Sequence, residues 1–126
     1  MAINVLLVDD ERDLVEVTKM RLESKGFTIT CAYDGLSAIE KIKSTKPDIV
    51  LLDLFMPVMH GYELCKKLKQ DPDVKDIPII FFSAGNCKDE CTKEAKAAGA
   101  VDFVSKPFDV DELVDKIKFY TKKRNG

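Results

Sequence analysis

A chain of 126 residues fits one domain with one hydrophobic core, and folding buries roughly two-thirds of the surface that such an unfolded chain exposes. Its 20 Lys and Arg and 22 Asp and Glu leave a net charge of -2, which excludes a global field that draws the chain onto nucleic acid or an anionic membrane. No apolar run reaches the ~18 residues of a membrane span, and the N-terminal segment lacks a secretory-signal pattern. We therefore expect a cytoplasmic protein that neither inserts into membranes nor binds nucleic acid directly.

Five short apolar runs alternate with segments of helical periodicity along the chain. The predicted strands span 3–8, 27–32, 48–52, 77–82 and 101–104. Three of them are nearly continuous apolar runs, which is typical of strands covered on both faces. Each strand is followed by apolar residues at three- and four-residue spacing, within 14–22, 38–42, 64–68, 91–98 and 110–120. The alternation predicts an α/β fold, (βα)5, with a doubly wound parallel sheet of five strands.

Residue types at the ends of the predicted helices agree with these boundaries. Asp34 precedes the second helix and Gly99 follows the fourth. Asp109 and Glu112 have the spacing of a capping box at the start of the fifth helix.

The four cysteines show neither a Cys-x-x-Cys motif nor the Cys/His spacing of a zinc site. They are Cys31, Cys65, Cys87 and Cys91. We interpret them as reduced thiols that pack as small hydrophobic groups and assign them no function.

Polar residues stand at the carboxyl ends of four predicted strands. Asp9 and Asp10 follow the first strand, and Asp53 follows the third. Ser83 and Lys106 follow the fourth and fifth strands. Ligands of open α/β sheets bind outside this edge where the strand order reverses, so these residues should converge in one crevice. Carboxylates 4 Å apart repel one another by an illustrative ~4 kcal/mol per pair at an effective dielectric near 20, so a bound cation is expected. Ligands that are all oxygen atoms favour Mg²⁺ or Mn²⁺.

With these residues assembled, the chain resembles the receiver domain of response regulators in two-component signalling. The matching segments are LLVDDE, LLDLFMPVMHG, FFSAG and DFVSKPF, and the resemblance covers about residues 3–122. It implies a chemotaxis-type sheet in the order 2-1-3-4-5, with flavodoxin-like topology. It also implies a single receiver domain over 1–126, with 123–126 as a polar tail.

The resemblance implies an aspartyl-phosphate site. Asp53 is the implied phosphoryl acceptor, and Asp10, Asp53 and the backbone carbonyl of Phe55 are the implied metal ligands, with Asp9 assisting through water. A carboxylate can attack phosphorus when the charge on the transferring group is neutralised and the geometry is held in line. Mg²⁺ and Lys106 would supply that neutralisation.

Ser83, Lys106 and Phe103 are implied to carry the switch. Ser83 would donate its hydroxyl to the phosphoryl group, and Lys106 would pair with a phosphoryl oxygen, so both join Asp53 as catalytic residues. Phe103 would then turn inward and remodel the surface formed by the fourth helix, the fifth strand and the fifth helix, which a partner protein reads.

Two residues depart from the family pattern. His60 stands where Asp or Asn usually precedes the glycine, and since His is also enriched at positive φ, we favour a turn role over a proton relay. Phe55 stands two residues after the acceptor, where many relatives have a polar side chain. It either shields the acyl phosphate from water or covers the mouth of the crevice.

The implied phosphoryl donor is a phosphohistidine on a sensor histidine kinase or a histidine phosphotransfer protein, because the sequence has no kinase motif, P-loop or nucleotide fingerprint. The chain would catalyse only its own phosphorylation and dephosphorylation, and we expect a monomer before phosphorylation. It is either a stand-alone receiver or a receiver from a longer protein.

Three other functions compete with this interpretation. The strongest is a degenerate receiver that acts as a constitutive binding scaffold, and the intact set of five polar residues argues against it. A haloacid-dehalogenase-type phosphohydrolase needs a second acid two residues after its nucleophile, where this chain has Phe55. An FMN carrier needs a loop rich in Ser, Thr and Gly after the first strand, and the DDERD segment would repel a phosphate there.

Overall fold

The fold is built on a parallel sheet of five strands in the order β2-β1-β3-β4-β5. The strands are β1 (Asn4–Val8), β2 (Thr28–Ala32), β3 (Ile49–Asp53), β4 (Ile79–Ala84) and β5 (Asp102–Lys106). The computed structural model describes residues 2–53, 61–84, 93, 95–106 and 109–125, and at 61, 62, 83, 84, 106 and 123–125 it describes the backbone alone. The predicted sheet and its strand order are confirmed.

Helices connect the strands. They are α1 (Arg12–Ser24), α2 (Gly35–Thr45), α3 (Gly61–Gln70) and the C-terminal helix (Val110–Asn125). Residues 93 and 95–97 are also helical, within the segment where the sequence predicts a fourth helix. The C-terminal helix continues through Asn125, into the segment predicted to be a polar tail. Among the described residues, no helix has the length and apolar character needed to cross a bilayer.

The hydrophobic core lies in two layers, one on each face of the sheet. Successive strand residues point to opposite faces, so Phe81 packs in the layer beneath α2 and α3, and Phe82 packs in the layer beneath α1 and the C-terminal helix. We call these layers the α2/α3-side core and the α1-side core. Coverage of both faces explains why the strands read as continuous apolar runs.

The strand ends differ from the predicted bounds in ways that matter for the site. β4 begins at Ile79 because the N–H of Ile77 donates to Val74 O at 3.1 Å in the preceding turn and Pro78 has no amide hydrogen. β3 includes Asp53, which pairs with Phe82, and β5 extends to Lys106. The polar residues of the third, fourth and fifth strands therefore lie within the sheet ladder, and not after it.

Cys31 and Cys65 are free thiols, as predicted. Cys65 is buried in the α2/α3-side core, where its thiol donates to Ala98 O at 3.3 Å and burial raises its pKa to about 11. Burial also raises the pKa of Cys31. Both thiols are therefore protonated at neutral pH. Cys87 and Cys91 lie outside the described residues.

Candidate functional site

The register between β1 and β3 brings two acidic residues to the same level of the carboxyl edge. Val8 lies opposite Leu52 in these parallel strands. The next residue in each chain segment is acidic, so Asp9 and Asp53 are neighbours. The strand order reverses between β1 and β3, which is where open α/β sheets form their ligand crevice.

Three carboxylates meet in this crevice. One oxygen from each of Asp9, Asp10 and Asp53 lies within 4.8 Å of the other two. Asp9 is 0% exposed and Asp53 is 4% exposed, whereas Asp10 is exposed to solvent. The cluster therefore has two buried members and opens to water on the side of Asp10, and the predicted convergence of the three acids is found.

Hydrogen bonds fix the backbone and side chain of Asp9. Its N–H donates to Ala32 O at 3.1 Å, which joins the end of β1 to the end of β2. Its Oδ1 accepts the N–H of Glu11 at 3.0 Å, and α1 begins at the next residue. This turn holds one carboxylate oxygen in place at the start of the helix.

The donor set of the cluster fits a hard divalent cation. All three side chains offer carboxylate oxygens, which Mg²⁺ and Mn²⁺ prefer. Two of these carboxylates are buried, and buried like charges need compensation. A cation held by so few protein ligands keeps coordination positions for water or a phosphoryl oxygen.

The other predicted site residues are placed by their backbones or lie outside the described part of the chain. Ser83 lies opposite Ser105, and Ala84 lies opposite Lys106, so both β4 and β5 reach the same edge as the carboxylates. The side chains of Ser83 and Lys106 are not among those described. Phe55 and His60 lie outside the described residues.

A family model for the response regulator receiver domain matches residues 5–118 of this chain. The chain belongs to the receiver domain family of response regulators. This receiver domain is 36% identical over 118 residues to Response regulator MprA of Mycobacterium ulcerans. The alignment covers 94% of this chain and 50% of that relative, so the chain spans about half of the relative's length.

Solved structures resemble this receiver domain over nearly its whole length. A two-component response regulator from Clostridium difficile is 31% identical, with a TM-score of 0.89 and coverage of 98% of this chain and 99% of that chain. The chemotaxis protein CheY4 of Vibrio cholerae is 28% identical, with a TM-score of 0.88 and coverage of 95% and 99%. The signal receiver domain of a histidine kinase from Syntrophus aciditrophicus has a TM-score of 0.87 at 30% identity, with coverage of 97% and 92%. The chain is thus a signalling domain of the two-component type.

Phe103 is half-buried on β5 of the receiver domain. It lies opposite Phe81 in the sheet and packs against the α2/α3-side core. It therefore lies at the margin of this core layer.

Asp102, directly before Phe103, joins β5 to the C-terminal helix. Its Oδ2 accepts the ammonium of Lys116 at 2.7 Å and the hydroxyl of Tyr120 at 2.9 Å, and its Oδ1 accepts the N–H of Phe103 at 2.7 Å. Burial opposes ionisation of Asp102, but the bonds from Lys116, Phe103 and Tyr120 outweigh it and lower the pKa of this carboxyl. Burial and then the bond to Asp102 raise the pKa of Tyr120 to about 12.

Arg12 and Tyr33 form a cation–π pair at the carboxyl edge. The guanidinium carbon of Arg12 lies 4.1 Å from the centroid of the Tyr33 ring. Tyr33 follows Ala32, whose carbonyl accepts the N–H of Asp9, so Tyr33 stands at the end of the strand next to β1. Sequence patterns do not indicate either residue. Arg12 and Tyr33 lie at two separate strand-to-helix connections, after β1 and after β2, and a contact between such connections leaves no pattern in the local sequence.

Proposed function

We propose that the receiver domain is a phosphorylation-dependent signalling switch that accepts a phosphoryl group on Asp53. The carboxylate cluster carries this proposal: Asp53 is nearly buried, and its carboxylate lies within 4.8 Å of those of Asp9 and Asp10. Such a group is a nucleophile placed beside a cation site. A constitutive binding scaffold would gain no function from such a cluster, in which like charges destabilise the fold.

The proposed donor is a phosphohistidine on a sensor histidine kinase or a histidine phosphotransfer protein. A carboxylate oxygen of Asp53 attacks phosphorus, and the new P–O bond forms as the P–N bond to imidazole breaks. The electron pair of the P–N bond passes to the imidazole nitrogen, which is protonated from solvent. The product is an acyl phosphate, and attack by water later returns the carboxylate and releases inorganic phosphate.

Asp10, Asp53 and the backbone carbonyl of Phe55 are the proposed ligands of Mg²⁺, or of Mn²⁺, with Asp9 assisting through water. When bound, the ion neutralises charge on the transferring phosphoryl group. The N–H of Glu11 restrains Asp9, so less side-chain freedom is lost when the site is filled. Lys106, at the end of β5, supplies a second positive charge in this proposal.

Phosphorylation is proposed to act on the surface through Ser83 and Phe103. A phosphoryl group adds close to two negative charges and strong acceptor oxygens. Ser83 donates its hydroxyl to that group, the loop after β4 moves toward the site, and Phe103 turns inward. The surface of β5 and its flanking helices then changes for a downstream partner. Converting a 1:99 mixture of the two states to 99:1 requires about 5.5 kcal/mol, so partial switching is sufficient for a signal.

The proposed setting is the cytoplasm, with a monomer before phosphorylation. The domain catalyses its own phosphorylation and dephosphorylation and has no other enzymatic role in this proposal. Its near-balanced charge of -2 gives no general affinity for nucleic acid.

Incubation with acetyl phosphate and Mg²⁺, followed by intact-mass measurement, tests the proposal. We expect one added phosphoryl group that is lost in mild base, and no adduct in excess EDTA. The matched variant Asp53→Asn should fold and remain unlabelled, because an amide is a poor nucleophile. An unlabelled wild-type protein with bound Mg²⁺ would instead support the scaffold function.

A further inference from the structure

The position of Arg12 conflicts with the usual charge preference of a helix. Arg12 is the first residue of α1, where the helix dipole disfavours a positive charge. Asp13, the next residue, has the sign that a first turn prefers. Residues that depart from such helix-end charge preferences are found mainly at functional sites, so a cation at this position points to a function.

The ring of Tyr33 holds the Arg12 guanidinium in place. Tyr33 packs against the α1-side core, which restrains its ring. The Arg12 guanidinium carbon lies 4.1 Å from the centroid of this ring. In the described part of the chain, the salt bridges join other residues, and the cation–π contact is the restraint on this guanidinium. The charge of Arg12 is therefore fixed near the carboxyl edge without being neutralised by an ion pair there.

We propose that Arg12, stacked on Tyr33, is a positioning residue that attracts the dianionic phosphoryl group of the phosphodonor toward Asp53. The inference rests on the proposed function. Tyr33 follows β2 and Asp53 ends β3, and these strands stand on either side of β1. Two strand spacings place these strand ends roughly 10 Å apart. Arg12 itself lies two residues after Asp10 of the cluster, and charges at separations on the order of 10 Å still interact at low salt.

The sign of this interaction differs for the two ligands of the crevice. Arg12 attracts an incoming phosphoryl dianion, which the three carboxylates alone would repel. The same charge repels Mg²⁺ bound by those carboxylates. A unit charge acting on a doubly charged group across roughly 10 Å of water-like dielectric changes binding by about two- to fourfold. Removing Arg12 therefore weakens capture of the donor and tightens Mg²⁺ binding, whereas a general loss of structure weakens both.

The test compares Arg12→Gln with Arg21→Gln, which makes the same change in the last turn of α1, and with Arg12→Lys, which keeps the charge. Two quantities are measured at low ionic strength. The first is the second-order rate constant for labelling by acetyl phosphate at saturating Mg²⁺. The second is the dissociation constant for Mg²⁺ of the unphosphorylated protein, from calorimetry. Phosphoramidate, a singly charged donor at neutral pH, reports the dependence on donor charge.

For Arg12→Gln we expect the acetyl phosphate rate constant to fall about two- to fourfold and the Mg²⁺ dissociation constant to fall by a similar factor. The rate effect should be smaller with phosphoramidate and should vanish in ~1 M salt. Arg12→Lys should restore most of the rate, and Arg21→Gln should change neither quantity. Tyr33→Leu should reproduce part of the loss, since it removes the ring and keeps an apolar side chain.

Unchanged constants in Arg12→Gln would overturn the inference, as would a weakening of both donor capture and Mg²⁺ binding. Equal effects of Arg12→Gln and Arg21→Gln would also overturn it, because the cause would then be net charge. A wild-type protein that is not labelled at all would instead refute the proposed function, while the Mg²⁺ titration would still measure the field of Arg12.

Discussion

Replacing Asp53 by Asn should stabilise the metal-free receiver domain and remove most of its response to Mg²⁺. In the wild type, Asp53 is 4% exposed, and its carboxylate lies beside those of Asp9 and Asp10. Asn has nearly the same shape and no charge. The substitution therefore removes two like-charge contacts while it preserves packing at the end of β3.

The expected gain follows from the carboxylate spacing. Two unit charges at 4.8 Å, the upper limit of the oxygen separations in the cluster, repel by about 3.5 kcal/mol at an effective dielectric near 20. Asp10 is exposed and therefore screened, and hydrogen bonds such as the one from Glu11 to Asp9 stabilise the ionised groups. We therefore expect the free energy of unfolding to rise by about 1–2 kcal/mol without metal. Mg²⁺ at 100 times its dissociation constant adds about 2.7 kcal/mol to the wild type, and this should make the wild type the more stable protein.

Urea denaturation at neutral pH, in EDTA and in excess Mg²⁺, measures both effects. Asp115→Asn is the matched control, because this residue is exposed on the C-terminal helix, and its change should stay within about 0.5 kcal/mol in both buffers. If Asp53→Asn is less stable than the wild type in EDTA while the control is unchanged, carboxylate repulsion does not govern the site. An undiminished Mg²⁺ response in Asp53→Asn would show that the ion binds elsewhere.

Three further substitutions probe the fold and the lifetime of the adduct. Asp102→Asn should lower the free energy of unfolding by about 1 kcal/mol at neutral pH, because folding lowers the pKa of the Asp102 carboxyl. Such a carboxyl stabilises the fold above its unfolded pKa and loses this effect as the pH falls, so the variant should show a flatter loss of stability below about pH 4. Urea titrations across acidic pH check this. Gly99→Ala should lower the free energy of unfolding by about 2 kcal/mol, against about 1 kcal/mol for Gly26→Ala. The angle φ is positive at both glycines, but only the Cβ added at position 99 meets another atom, Lys69 Cγ, at 2.7 Å. Thermal unfolding of the two variants compares these effects. Phe55→Asn should shorten the lifetime of the acyl phosphate, because an amide can position water, and equal decay of the labelled proteins would remove the shielding role.

The sheet and its layers could be predicted because they depend on local pattern. Continuous apolar runs identify strands that are buried on both faces, and their alternation with helical periodicity leaves few topologies. Helix starts could also be predicted: Asp34 accepts the N–H of Ser37 at 2.7 Å, and Asp109 caps the C-terminal helix. Asp109 accepts the N–H of Asp111 at 2.9 Å, however, and not that of Glu112, as the predicted capping box requires. The strand order 2-1-3-4-5 came from the family motifs.

The contacts of particular side chains could not be predicted in the same way. The ammonium of Lys69 donates to the carbonyls of Lys75 and Ile77, both at 2.9 Å, while its stem passes beside Gly99. Lys46 ends α2 in a left-handed conformation, at φ 45°, where glycine is the usual residue. The contacts of Lys69 and the conformation of Lys46 both depend on which segments the complete fold brings together. Hydrophobic periodicity carries no information about that.

The acidic part of the site was predictable for a topological reason. Parallel strands present their carboxyl ends at one edge, so Asp9, Asp10 and Asp53 had to be near one another once β1 and β3 were adjacent. The cation–π pair of Arg12 and Tyr33 at the same edge was missed, because it depends on the distance between two turns.

Locating the phosphoryl group within the chain decides whether Asp53 is the acceptor. The protein is incubated with acetyl phosphate and Mg²⁺ and then reduced with borohydride, which converts an aspartyl phosphate to homoserine, and its peptides are sequenced by mass spectrometry. We expect homoserine at position 53, in proportion to the phosphoryl group seen in the intact protein. Homoserine at another aspartate, or a stable phosphate on a serine or histidine with position 53 unmodified, would contradict it.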